Sequence, residues 1–229
     1  MILLKEEYIN ALILSIKLSF FTTIILIIIS IPIAYWLSQK KTFLKSIVEI
    51  FITLPLVLPP SVIGFYLLIF LNRDSILGST WFNLTGSYLV FNFNGLLIGS
   101  VIYSLPFVVK PIQNSFEFLP KQITESAATL GARPLDSFFS VILPLTRQGV
   151  ITGALLGFTH TIGEFGIVLM IGGNIPGQTK TISISIFDAV EKLNYNEANI
   201  MSCILIFISL FCIGIIYFLN KKHIFSMKF

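Results

Sequence analysis

An all-α membrane protein with five spanning helices is what this sequence predicts, on three observations. Of its 229 residues, 55% are hydrophobic and only 11% are charged, against roughly 25% charged in ordinary soluble domains. The apolar residues gather into five runs, about 9–37, 47–71, 95–112, 149–171 and 200–219, each close to the ~20 residues that cross a bilayer as a helix. The longest amphipathic, charge-bearing interruption, residues 120–145, is too short to be a soluble module. The chain is therefore read as one polytopic domain over 1–229, in contact with lipid. Its net charge of +4 is unevenly spread and speaks to topology and not to nucleic acid.

The first run is too long for a signal-peptide core and follows Glu6 and Glu7 instead of a basic segment, so it reads as an uncleaved span. Lys17 lies about two turns inside it and can snorkel to the nearer surface. The second run carries Leu54-Pro55-Leu56-Val57-Leu58-Pro59-Pro60. Prolines at that density exclude a regular helix, and irregular backbone at membrane depth packs in protein or lines a cavity. Residues 72–94 form a polar and aromatic connection, with Trp81 and Tyr88 as interface residues. The third run starts near Gly95 and is expected to kink at Pro106. Gly95 and Gly99 there, and Gly149, Gly153 and Gly157 in the fourth run, repeat at four-residue intervals that permit close helix packing. Residues 172–199 are a second connection, in which Ile182, Ile184 and Ile186 alternate with polar residues. Both an extended segment and an interfacial half-helix fit that pattern. Cys203 and Cys212 in the fifth run lie on opposite helix faces, cannot pair, and read as small buried residues.

Basic residues set the expected orientation. Lys40, Lys41, Lys45, Lys110, Lys121, Arg133, Arg147, Lys221, Lys222 and Lys228 fall on one side, and Lys5, Arg73, Lys180 and Lys192 on the other. The richer side is cytoplasmic by this rule. The N-terminus is then outside, the C-terminus inside, and the 120–145 loop cytosolic.

That loop contains Glu125-Ser-Ala-Ala-Thr-Leu-Gly-Ala-Arg-Pro-Leu-Asp-Ser-Phe-Phe-Ser-Val-Ile-Leu-Pro144. Glu125 to Leu130 favours helix, Gly131 can take the left-handed conformation that ends one, and Pro134 suits the first turn of the next. Leu135, Phe138, Phe139 and Ile142 would then share one apolar face.

The search for chemistry yields little. Gly172 to Thr179 has two glycines at phosphate-loop spacing, but Gln178 stands where the lysine must be, and no strand precedes it. No catalytic set or metal-ligating set is present, since His160 and Glu164, four apart on the fourth run, are too few for zinc. Glu164 sits about 22 Å along that run if it is helical throughout. An intramembrane carboxylate is by default functional, and the alternative is a hydrogen-bond acceptor for a neighbouring helix. A charged carboxylate repels an oxyanion, so a gate or helix contact, in protonated form, is the expected role. Spans so poor in cations imply a low-affinity passage lined by hydroxyls and backbone amides, with selection performed elsewhere.

The spacing Glu125-Ser126-Ala127, Gly131, Val141, Leu143-Pro144 resembles the Glu-Ala-Ala…Gly…Ile-x-Leu-Pro signature of ABC-importer permeases, with Ser126 for Ala and Val141 for Ile. The chain is further similar to permease subunits of molybdate ABC transporters. Leu54 to Pro60 with Val62 and Gly64, Thr129 to Ala132, Ile162-Gly163-Glu164-Phe165-Gly166, and Asn174 to Gly177 with Thr179 to Thr181 carry this likeness. Sulfate/thiosulfate and tungstate permeases are close cousins. The resemblance implies a type I importer permease fold in the cell inner membrane that works as a homodimer. It also implies two cytoplasmic ATPase subunits docked on Glu125–Gly131 and a periplasmic molybdate-binding protein. No cofactor is expected in this chain, ATP and Mg being bound by the ATPase. Pro59, Pro60, Gly163, Glu164, Phe165 and Gly166 are the expected pathway or gate residues. Two other readings compete: an ATP-independent carrier or channel using the proline-broken span, and an intramembrane enzyme using His160 and Glu164.

Overall fold

The computed structural model describes residues 6–39 and 42–226, with side chains through residue 218. Lys5, Lys40, Lys41 and Lys228, which bear on orientation, lie outside the described residues. Among the described residues there is no strand. Three helices are each long and apolar enough to cross a membrane, and two sharply bent helix pairs raise the possible count to five.

Helix α1 (Glu6–Ser38) begins the chain and is followed by α2 (Phe43–Thr53). A 3-10 turn over Leu54–Leu56 then leads to α3 (Pro60–Leu71), and the chain turns by 110° between α2 and α3. The proline-rich stretch is thus a corner. Pro60 stands at the first helical position of α3, where its missing N–H costs no hydrogen bond. Residues 72–94, read above as a plain connection, contain α4 (Ile76–Thr85), capped by the Ser75 hydroxyl accepting from the Gly78 amide at 2.9 Å.

Helix α5 (Phe93–Glu117) is longer than the 95–112 run and passes through Pro106 and Pro111 without a break. Pro106 is buried, and packing on neighbouring helices carries the backbone across the missing hydrogen bond.

The 120–145 segment forms α6 (Lys121–Thr129), α7 (Pro134–Ser137), a π-helical turn over Phe138–Ile142 and α8 (Leu143–Leu145). A 66° bend joins it to α9 (Arg147–Gly163). The fourth run is not one helix: α9 stops at Gly163, and α10 (Gly166–Gly172) restarts after Glu164 and Phe165. The connection over 172–199 forms α11 (Ile182–Glu191), which settles the helix-or-extended alternative in favour of helix, and α12 (Tyr195–Ser226) closes the fold.

Helices α1, α5 and α9 form the centre, around the fully buried Leu26, Val108 and Ile112. The glycines explain how closely they approach. A Cβ on Gly149 would stand 2.3 Å from that of Ser115, and one on Gly157 would stand 2.5 Å from Val108 Cγ2. The first contact excludes any side chain, so α9 lies on α5 through its glycine face. The interior also buries hydroxyls, including Ser15, Ser19, Thr22, Ser104 and Thr161, while Ile28, Phe70, Phe207 and Phe211 stand exposed. An apolar exterior of this extent suits lipid and not water. Both cysteines are free, but only Cys212 is buried; Cys203 is exposed, which corrects the expectation for that residue.

Candidate functional site

Two sets of motif residues occupy two different places. The first is the α6–α8 segment. Glu125, Ser126 and Ala127 lie on α6, with Glu125 and Ser126 exposed and Ala127 turned inward. Gly131 ends the helix at φ +82, where the Gly131 amide donates to the Ala128 carbonyl (3.0 Å) and the Ala132 amide to that of Ala127 (3.1 Å). Those two bonds with a left-handed glycine are a Schellman closure. Nothing lies within 4 Å of where a Gly131 Cβ would project. Leu143 and Pro144 fall in α8.

The apolar face expected on the second loop helix does not form as one stripe. The π-helical turn bonds each amide five residues back instead of four and so shifts the side-chain register, and Ile142 is buried while Leu135 and Phe139 stay exposed. Phe138 packs edge-on against Tyr35 of α1, ring centroids 4.8 Å apart, and seats the segment on the end of that helix.

The second set surrounds a cavity of about 600 Å³ lined by Pro60, Ser61, Tyr103, Thr159, His160, Gly163, Glu164, Phe165 and Gly166. It gathers five of the six expected pathway residues; Pro59 stands just outside as the cap of α3. The site is made by two chain breaks meeting. The amino end of α3 abuts the amino end of α10, so tightly that a Gly166 Cβ would stand 2.6 Å from that of Pro60. Because α9 has ended, Glu164 is extended (φ −66, ψ 132). Glu164 thus stands at the end of α9, where its expected place along the run puts it, but its extended backbone takes it out of the helix, and it meets His160 across the cavity wall and not along a shared helix face. His160 lies half-buried against Phe107, ring centroids 3.8 Å apart, with Nδ1 2.9 Å from Ser104 Oγ, which in turn is 2.9 Å from Thr161 Oγ1. This wall can offer hydroxyls, one imidazole and helix amino ends, and has no reactive triad. Among the described residues no cluster suited to a metal ion is found.

Sequence reasoning missed the hydroxyls Ser61, Ser104, Thr159 and Thr161 and the ring of Tyr103. The signal present was polar residues within the apolar runs, Ser100 and Ser104 one helical turn apart and Thr161 one turn after Gly157. It also missed an ion cluster at the start of α1. There Lys180, its side chain 6% exposed, lies 2.8 Å from Glu7 and 2.6 Å from Asp188, and Asn174 donates to Asp188 at 3.1 Å. Burial by itself would lower the Lys180 pKa, but its bonds to Asp188 and Glu7 outweigh this and raise it. For Asp188, burial pushes upward and is outweighed by the bonds from Lys180 and Asn174, which leave the carboxyl below its ordinary value. Another cleft, of about 840 Å³, is walled by Asn72, Arg73, Tyr88 and Gln178 and touches neither motif set.

The chain is 47% identical over 196 residues to the molybdenum transport system permease protein ModB of Azotobacter vinelandii, covering 86% of this chain and 87% of that one. It is 32% identical over 206 residues to ModB of Escherichia coli K12, covering 90% and 89%. Among solved structures, a bacterial ABC transporter for import of the acidic polysaccharide alginate superposes with a TM-score of 0.73 at 16% identity, over 95% of this chain and 79% of that one. At that identity it speaks for the fold alone. Residues 26–225 match the family model described as the binding-protein-dependent transport system inner membrane component, and the chain belongs to that family.

Proposed function

We propose that this chain is the membrane-spanning subunit of an ATP-driven importer that passes molybdate across the inner membrane. The relative from A. vinelandii, 47% identical over nearly the whole chain, carries the reading. In this reading the chain itself hydrolyses nothing. Residues 172–179, the nearest approach to a phosphate loop, are a tight turn in which Thr179 Oγ1 donates to the Gly172 carbonyl at 2.6 Å, and that geometry supports placing ATP and Mg on a separate chain.

Two copies of the chain enclose the passage, because five spans alone scarcely surround one. Each copy presents α6–α8 to a cytoplasmic ATPase subunit, with Glu125, Ser126, Ala127, Gly131, Leu143 and Pro144 as the coupling surface. An extracytoplasmic binding protein delivers the anion. The N-terminus is outside and the C-terminus cytoplasmic, by the count of basic residues. The cavity between α3 and α10, lined by Pro60 and Gly163–Gly166 with Pro59 at its edge, is the passage or its gate. Rigid-body rocking of the two copies, driven through the coupling surface, exposes it to each side in turn.

The test is uptake of labelled molybdate by sealed vesicles holding this chain, its ATPase and its binding protein. Uptake that needs ATP and all three components, resists excess sulfate and yields to excess tungstate is the expected result. Collapse under sulfate moves the substrate to sulfate while keeping the architecture. Flux without the ATPase overturns the importer reading in favour of a carrier.

A further inference from the structure

This inference rests on the importer reading and concerns the α3–α10 cavity. Glu164 lines that cavity at 5% exposure, and neither of its carboxyl oxygens has a hydrogen-bond partner. The Ser100 hydroxyl of α5 lies beside it as its nearest donor, in geometry too marginal to satisfy either group fully. The titratable groups around it are Tyr103 of α5 and His160 of α9, while α3 contributes only Pro60 and Ser61. His160 already has Nδ1 against Ser104 and its ring against Phe107. Among the described residues no lysine or arginine lines the cavity.

These surroundings discriminate between the two forms of the side chain. An ionised carboxylate there would be buried without a cation and with the Ser100 hydroxyl as its one neighbouring donor, an arrangement that desolvation penalises, and it would repel an incoming anion. A carboxylic acid avoids both and adds an O–H donor to the wall. Opposite it, the twelve-residue helix α3 begins at Pro60, and Ser61 supplies its first amide and a hydroxyl at the helix's positive end.

We propose that Glu164 works as a carboxylic acid, donating a hydrogen bond to a tetrahedral oxyanion that passes between it and the amino end of α3. It is thereby a specificity-determining contact of the passage. Donors without fixed positive charge orient the anion yet release it, which conduction requires. A lysine or arginine at this point would hold a doubly charged anion too firmly to let it leave.

The experiment uses the full complex in vesicles, with uptake per ATP hydrolysed as the readout, for wild type, Glu164→Gln and Glu164→Ala. Glutamine keeps a neutral donor of the same length and is expected to retain uptake within about threefold, while alanine loses at least about tenfold, the factor for one hydrogen bond near 1.4 kcal/mol. Wild-type uptake per ATP falls as the pH is raised and the acid ionises; the Glu164→Gln profile is flat over the same range. Infrared difference spectra on adding molybdate give a readout that does not depend on turnover. A carboxylic C=O band shifts in the wild type and is absent in Glu164→Gln. Wild-type transport with glutamine as impaired as alanine, or with no carboxylic band, overturns this inference alone. Absence of ATP-driven uptake in the wild type overturns the importer reading and this inference with it.

Discussion

The α6–α8 segment and the α3–α10 cavity carry the two motifs, and they are built on opposite principles. In the first, the key residues touch almost nothing of their own chain. Glu125 and Ser126 are exposed, Leu130 is 88% exposed, and Gly131 has empty space where a side chain would go. In the second, residues are in contact to the limit of packing, with Gly166 against Pro60 and Gly64 against Met170. As the docking surface proposed above, α6–α8 would leave its determinants unsatisfied within one protomer. The wall that the α3–α10 cavity would give the proposed passage is held in shape within each protomer. Substitutions in the two regions should therefore separate coupling from stability.

The largest expected separation is at Gly131. Gly131→Asp places a side chain at φ +82, a conformation costing of order 1–2 kcal/mol off glycine, on a surface with no internal contact to lose. Uptake is expected to fall at least about tenfold through lost ATPase docking. The apparent Tm of the detergent-solubilised chain, by contrast, moves by less than ~8 °C. Co-purification with the ATPase distinguishes the two effects, and undiminished co-purification would refute the docking role.

The cavity should behave the other way, and two glycines three residues apart sharpen the contrast. Gly166→Ala forces a Cβ to 2.6 Å from Pro60 Cβ, an overpacking cost of about 1–3 kcal/mol, and lowers the apparent Tm. Gly163→Ala meets nothing within 4 Å at the end of α9. It is expected to be neutral or to stabilise by up to about 1 kcal/mol. Thermal unfolding of both variants checks the pair, and equal losses would mean the two breaks do not pack as described.

The same contrast explains what could be read from the sequence. The α6–α8 segment was legible because its signals are local: a left-handed glycine, a proline at a helix start, a spacing within twenty residues. The π-helical turn at Phe138–Ile142 was not, because it depends on Phe138 reaching Tyr35, about a hundred residues earlier. In the cavity, Pro59-Pro60 announced a chain break by covalent geometry alone. The break at Glu164 had no such signal: Gly163 and Gly166 permit it, but it arises where α10 turns to meet α3. The Lys180–Glu7–Asp188 cluster joins residues 173 apart in sequence, and no pattern along the chain could report it.

That cluster offers an intermediate effect, outside both motifs. Asp188→Asn leaves the buried Lys180 with Glu7 as its carboxylate neighbour in the cluster and is expected to cost about 1–3 kcal/mol, less than the loss of a lone buried partner. The pH dependence follows from the two shifts. Asp188 titrates below its ordinary value, so its contribution is complete above that value and is lost as pH falls through the lowered one. Lys180 titrates above its ordinary value, so its contribution is complete below that value and is lost as pH rises through the raised one. Apparent Tm should be level near neutrality and fall at both extremes. Asp188→Asn should remove the contribution of this cluster to the acid fall, leaving that of other carboxylates.

The smallest effect is expected where the corner holding the cavity is tied from behind. Glu49 of α2 pairs with Lys110 of α5 and accepts from Gln113 at 3.3 Å. Both charged side chains are about 30% exposed, at 31% and 29%, so screening limits the pair to about 1 kcal/mol. Lys110→Ala should lower the apparent Tm by only a few degrees. Because α2 leads directly into the Pro59-Pro60 corner, loss of the tie should also loosen the cavity wall. The exchanged pair Lys110→Glu with Glu49→Lys should restore both stability and uptake if the contact acts by charge. Failure of the exchange to restore either, with each single variant impaired, would assign the effect to packing of the Lys110 stem instead.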